Sequence, residues 1–143
     1  MLPDDPKDSG LHLVLCDFAE VINGKLYLQG AGWSRIVANQ PIALAVALFW
    51  RIPWGKANQK QEVTIRLMTE DGDPFFDPAG NPVRADGEIE VGRPPGLKEG
   101  SPLDAPLAVR LGPMAFPPGG YRFELEVNGT LEAIASFEAF AAT

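Results

Sequence analysis

The sequence predicts an all-β fold, a two-layer antiparallel β-sandwich of about eight to nine strands. Three observations carry that expectation. Apolar residues recur at a spacing of two in several separate stretches, the period of a pleated chain with one buried face. Prolines and glycines, 14 and 15 of them, stand as punctuation between those stretches rather than in one low-complexity block. No stretch makes a convincing helix. At 143 residues the chain is long enough to bury a core without metal or disulfides, so one domain is expected over 11–143, after a flexible tail at 1–10.

The first strand is expected at 11–21. Asn23 and Gly24 then mark a tight hairpin, because both tolerate positive φ. A two-residue loop sets Val21 opposite Leu26, Ala19 opposite Leu28 and Glu20 opposite Tyr27. In that register Asp17 shares a face with Leu15 and Ala19, and is either partly buried or turned out by a bulge. Gly30 and Gly32, flanking Ala31, predict a sharp bend, with the chain crossing to the second sheet through 33–37.

Residues 41–52 read as a buried strand. Ile42, Leu44, Val46, Leu48 and Trp50 share one parity, while Ala43, Ala45, Ala47 and Phe49 share the other. The alanines make a helix the rival, but the large/small alternation and the prolines at 41 and 53 favour the strand. The small-residue face invites close packing by the domain's own second sheet or by a neighbouring subunit. A polar loop at 53–61 follows. Val63, Ile65, Leu67 and Thr69 then alternate with polar neighbours, the pattern of a half-buried strand.

Asp71 and Gly72 end that strand, and turns are expected at 73–86. A short strand at 88–91 buries Ile89 and Val91. A long Pro/Gly loop at 93–106 joins the halves, a strand carries Leu107, Val109 and Leu111, and 112–119 is a further turn. The last hairpin is expected to turn through three residues, 127–129, as a type I turn with Gly129 left-handed and bulged. That loop pairs Leu125 with Leu131, Phe123 with Ala133 and Tyr121 with Ala135, keeping both apolar sets on one face.

Charge narrows the partners. A net charge of −7 disfavours nucleic acid and anionic membrane surfaces, both of which call for a basic face. The longest apolar run, 42–50, is about half of a membrane-spanning helix. The first ten residues are acidic and proline-rich, unlike an export signal, so a cytoplasmic location is expected. The lone Cys16 makes no intramolecular disulfide and no thiolate zinc site.

No catalytic residue, metal site or cofactor is expected. His12, the one histidine, has no Ser or Cys in a motif context beside it. Cys16 lies inside an apolar strand, as a buried, inert thiol does. Glu70, Asp71, Asp73 and Asp77 offer the oxygen chemistry of a calcium loop, but Phe75 occupies a ligand position and the loop glycine and terminal glutamate are missing. Glu124, Glu126 and Glu132 are placed on a solvent face with Arg122. The tryptophans are the most suggestive group. Trp50 continues a core parity, whereas Trp54 stands in a polar loop with Lys56 and Asn58, either as a plug for the sandwich end or as a ring for ligand stacking.

Three stretches carry a resemblance: CDFAEVINGKLYLQGAGW at 16–33, FWRIPWGKANQKQEVTIRLMTEDG at 49–72 and FPPGGYRFELEVNG at 116–129. In these the chain resembles a family of small, uncharacterised bacterial proteins of unknown function. The closing stretch also looks like the last hairpin of immunoglobulin-like modules, which implies an immunoglobulin-like sandwich and no activity.

The functional expectation is therefore a non-enzymatic binding or structural module acting through protein–protein contacts, with homo-oligomers among them. The alternative is a small-ligand or carbohydrate-binding domain using Trp54, Lys56 and Asn58.

Overall fold

The computed structural model describes residues 10–142. The expected tail at 1–10 lies outside them except for Gly10. Among the described residues nine strands build two sheets: β1 Leu11–Ile22, β2 Lys25–Ala31, β3 Arg35–Val37, β4 Ile42–Ile52, β5 Gln61–Thr69, β6 Arg84–Ile89, β7 Leu103–Met114, β8 Gly119–Val127 and β9 Thr130–Phe140. The four-stranded sheet has the order β2-β1-β4-β7 and the five-stranded sheet the order β3-β9-β8-β5-β6. No helix among the described residues is long and apolar enough to cross a membrane.

The two sheets face each other across one core. Leu15, Leu44, Val46, Leu48 and Ile52 come from the first sheet, and Val63, Ile65, Leu67, Phe123 and Leu125 from the second. Leu15 belongs to β1, and the others are alternating positions of β4, β5 and β8, so the spacing of two does mark the buried faces. At one end of the core Phe116 is wholly buried, stacked on Phe75 at 5.1 Å and edge-on to Tyr121 at 5.3 Å.

The first hairpin follows the expected register, with Ala19 opposite Leu28, Glu20 opposite Tyr27 and Val21 opposite Leu26. Asn23 (φ 50°) and Gly24 (φ 73°) form its two-residue turn. Asp17 is turned out to solvent. The chain bends after β2 and crosses to the other sheet, where β3 pairs in parallel with β9.

The last hairpin corrects the expected three-residue turn. Asn128 (φ 51°) and Gly129 (φ 83°) are both left-handed, and Val127 pairs directly with Thr130. A two-residue turn of this hand matches strand twist, and Asn-Gly is the pair best able to form it. The register is then repaired by a bulge further along: Glu126 faces Leu131 and Leu125 faces Ala133, leaving Glu132 as the extra residue. Phe123 thus meets Ala135 and Tyr121 meets Phe137. The apolar sets share one face as expected, but Leu131, ahead of the bulge, is exposed.

Two further strands differ from their expected bounds. β6 begins at Arg84 rather than 88, because a sheet-edge strand with a charged outer face has the composition of a turn. Asp86 there accepts hydrogen bonds from Arg84 Nε at 2.8 Å and from Thr64 Oγ1 at 2.8 Å. β7 runs through Pro106 and Pro113, residues that mark loops in a sequence. Pro106 is tolerated because β7 lies at the edge of its sheet, where a missing N–H can point away from the ladder.

Candidate functional site

The loop after β4 holds the three residues singled out from the sequence. Trp54–Lys56 form a single 3-10 turn. The Trp54 ring packs against the core margin. Its other face is covered by Arg93, whose guanidinium carbon lies 4.5 Å from the ring centroid and whose Nη2 donates to the Trp54 carbonyl at 2.9 Å. Asn58, at φ 61°, uses its backbone N–H to reach the Val91 carbonyl at 2.7 Å. Lys56 points elsewhere, into a groove of about 300 Å³ with Leu11, Trp50 and Asn128. The loop is therefore sewn to the segment after β6, with Trp54 seated as a plug beneath Arg93.

Several charged residues pair off. Arg122 Nε donates to Glu124 Oε2 at 2.6 Å, and Arg66 donates to Glu126, on the outer face of the five-stranded sheet. In the acidic turn, Asp77 accepts from the Asn81 N–H at 2.9 Å and Asp73 N–H donates to Thr69 Oγ1 at 3.3 Å, the work of turn-capping side chains. Among the described residues no group of three or more His, Cys, Asp or Glu could hold a metal ion. The bonds from Arg84 and then Thr64 hold the Asp86 carboxyl below its ordinary value.

The four-stranded sheet carries a different feature. In a flat sheet of this order β2 would lie about 14 Å from β7, three strand spacings away. Cα atoms of the two strands nonetheless approach within 8 Å. The β1–β2 hairpin therefore curls over the outer face of its own sheet as an arm. Beneath it a second, small core forms from Cys16, Ala19, Ala45 and Ala47, all fully buried, with Leu26, Leu28 and Ala108 packed against them. Ala45 and Ala47 of the β4 alanine face are covered by this arm, which corrects the expectation of a second sheet or a neighbouring subunit there, while Ala43 is exposed. Small residues at 45 and 47 are what let a backbone approach so closely. Cys16 donates its thiol to the Ala45 carbonyl at 3.6 Å, and burial, followed by the nearby Asp17 charge, raises its pKa.

The arm leaves an open groove of about 380 Å³ against the sheet. Gly24, Leu26 and Leu28 form its outer wall, residues 49–51 its floor, and residues 104–106 of β7 its far side. Phe49 is 41% exposed there, with its ring 5.2 Å from that of His12. Val21, Ile22 and Tyr27 are exposed on the arm itself. Val21 shares the face of Leu26 and Leu28, which line the groove, whereas Ile22 and Tyr27 lie on the arm's other face. An apolar strip thus runs from Val21, Leu26 and Leu28 across the groove to Phe49 and on to β7. The groove was not evident in the sequence, although one signal pointed to it. Phe49 breaks the run of alanines on its parity, placing a large ring on a face otherwise kept small.

Comparison with curated proteins finds no match. The resemblance noted in the sequence is matched by a family that takes in β1 and most of β9 with everything between them. Residues 11–139 match the family of unknown function DUF6941, and the chain belongs to that family.

Proposed function

We propose that the protein is a non-enzymatic module that acts through protein contacts, and that its partner is a second copy of itself. The observation that carries this reading is the apolar strip from Val21, Leu26 and Leu28 across the groove to Phe49. Contiguous exposed apolar surface rimmed by polar residues is the mark of an interaction site. The strip ends at β7, an edge strand twelve residues long, and an unpaired edge is a template for another strand. The pairing of Arg66, Arg84 and Arg122 with carboxylates supports the non-catalytic half of the reading, since these acids are engaged in ladder ion pairs. A single buried thiol accords with a cytoplasmic location.

We further infer an immunoglobulin-like arrangement. β3 runs parallel to β9 at one sheet edge, and Tyr121 Oη donates to the Pro117 carbonyl at 2.5 Å, the relationship of a tyrosine corner at the start of its strand. In that arrangement β7 takes the position whose outer neighbour, in immunoglobulin domains, is one more strand. Here the segment between β6 and β7 contains no strand to fill it.

Sedimentation velocity of the full chain over a wide concentration range tests the self-association. A concentration-dependent dimer is expected. A clean monomer at the highest concentration overturns the reading.

A further inference from the structure

Pro106 stands opposite Phe49 in the β4–β7 pair. A proline cannot donate, so this is a pair without direct hydrogen bonds, and the bonds to β4 come from the flanking odd-numbered residues. The even-numbered residues, Asp104, Pro106, Ala108 and Arg110, therefore turn their backbone polar groups to the free edge. Asp104 and Arg110 are both exposed, and neither has a salt bridge among the described residues. Arg110 is steadied on the outer face by the Phe18 ring, 5.1 Å from its guanidinium carbon.

The residues 103–111, LDAPLAVRL, have a symmetry about Leu107. Folding the segment back antiparallel on a copy of itself sets Pro106 opposite Ala108, Ala105 opposite Val109, Asp104 opposite Arg110 and Leu103 opposite Leu111. We infer that the free edge of β7 pairs with β7 of a second copy about a two-fold axis through Leu107, joining the two four-stranded sheets into one. The inference rests on the self-association proposed above and names its geometry.

A two-fold interface must be self-complementary, and this register is. Asp104 and Arg110 exchange both backbone bonds and oppose opposite charges, once on each side of the axis. Pro106 accepts from Ala108 and donates nothing, so the proline weakens the pairing without blocking it. Other axes lose the charge match. Centring on Pro106, Ala108 or Val109 leaves both Asp104 and Arg110 opposite uncharged residues. Leu107, Val109 and Leu111 are only half-buried at the open margin of the core, and the added strand covers that margin.

Charge reversal and cross-linking on the full chain test the register. Asp104→Arg and Arg110→Asp, each alone, set like charges face to face and are expected to weaken the dimer about tenfold or more in sedimentation. The double exchange restores it. Leu107→Cys is expected to form a disulfide-linked dimer under mild oxidation, because residues at the axis form a close pair, whereas Asp86→Cys on the opposite sheet's edge does not. Native Cys16 is buried and does not compete. A dimer indifferent to both single reversals, with no cross-link at 107, overturns the β7 register while leaving self-association standing. A monomer at all concentrations overturns both.

Discussion

Gly30 and Asp17 face each other across the β1–β2 ladder so closely that a Cβ on Gly30 would stand 2.1 Å from Asp17 Oδ2. Gly30 is also left-handed, at φ 59°. The contact, a bare backbone beneath a carboxylate, lies one residue before the end of β2, after which the chain bends toward the second sheet. Gly30→Ala is expected to cost about 1–2 kcal/mol from the backbone alone, and more from displacing Asp17. Adding Asp17→Ala removes the nearest atoms and should recover at least about 0.5 kcal/mol in a double-mutant cycle read by urea denaturation. Strict additivity of the two substitutions would count against the contact.

Tyr121 ties the loop before β8 to the core through Pro117. Tyr121→Phe leaves the buried ring in place and removes the donor, so a loss of about 1 kcal/mol is expected at neutral pH. Burial, and secondarily Glu70, raise the Tyr121 pKa. Its phenol therefore contributes stability that is fully present below the ordinary tyrosine value of about 10 and is lost as pH rises through the raised folded value. Urea midpoints measured across that alkaline window should fall more for the native chain than for Tyr121→Phe. Equal falls would show that the phenol plays no part.

The small core under the arm makes Cys16 a reporter of the curl. Native protein is expected to resist alkylation by iodoacetamide until denaturant is added, both because the thiol is fully buried and because its raised pKa keeps it protonated. Ala47→Leu should force the arm off its seat at a cost of about 1–3 kcal/mol and open Cys16 to the reagent. Labelling of the native chain at the rate of a free thiol would mean that the arm does not cover the sheet.

Trp54 and Arg93 should behave as a structural couple. Trp54→Ala and Arg93→Ala are each expected to destabilise, and a double-mutant cycle should return a coupling of about 0.5–1 kcal/mol, the size of an exposed cation–π contact. A Trp54→Ala variant with unchanged stability would argue against the plug and return the ring to the pool of exposed recognition residues.

Much of the fold was legible because sheet formation leaves a local trace. Ile42, Leu44, Val46, Leu48 and Trp50 alternate, as do Val63, Ile65 and Leu67, and the parities name the buried face without knowledge of any partner strand. Asn23 and Gly24 set their hairpin register by themselves. The second hairpin was harder. Two arrangements place Phe123 and Tyr121 on the same face as residues of β9, one bulged at the turn and the other at Glu132, and face alternation cannot tell them apart. Edge strands leave the weakest trace. β6 is charged because only one of its sides is paired, and β7 carries prolines for the same reason.

The sequence by itself determined the two layers, the core positions and the first turn, since each depends on neighbours within a few residues of chain. Only the tertiary structure decided that the first hairpin curls over its own sheet, that Ala45 and Ala47 lie beneath it, and that Phe49 floors a groove ending at β7. Those outcomes depend on how closely segments some 20 to 90 residues apart approach through space, a quantity to which the period of a strand is blind.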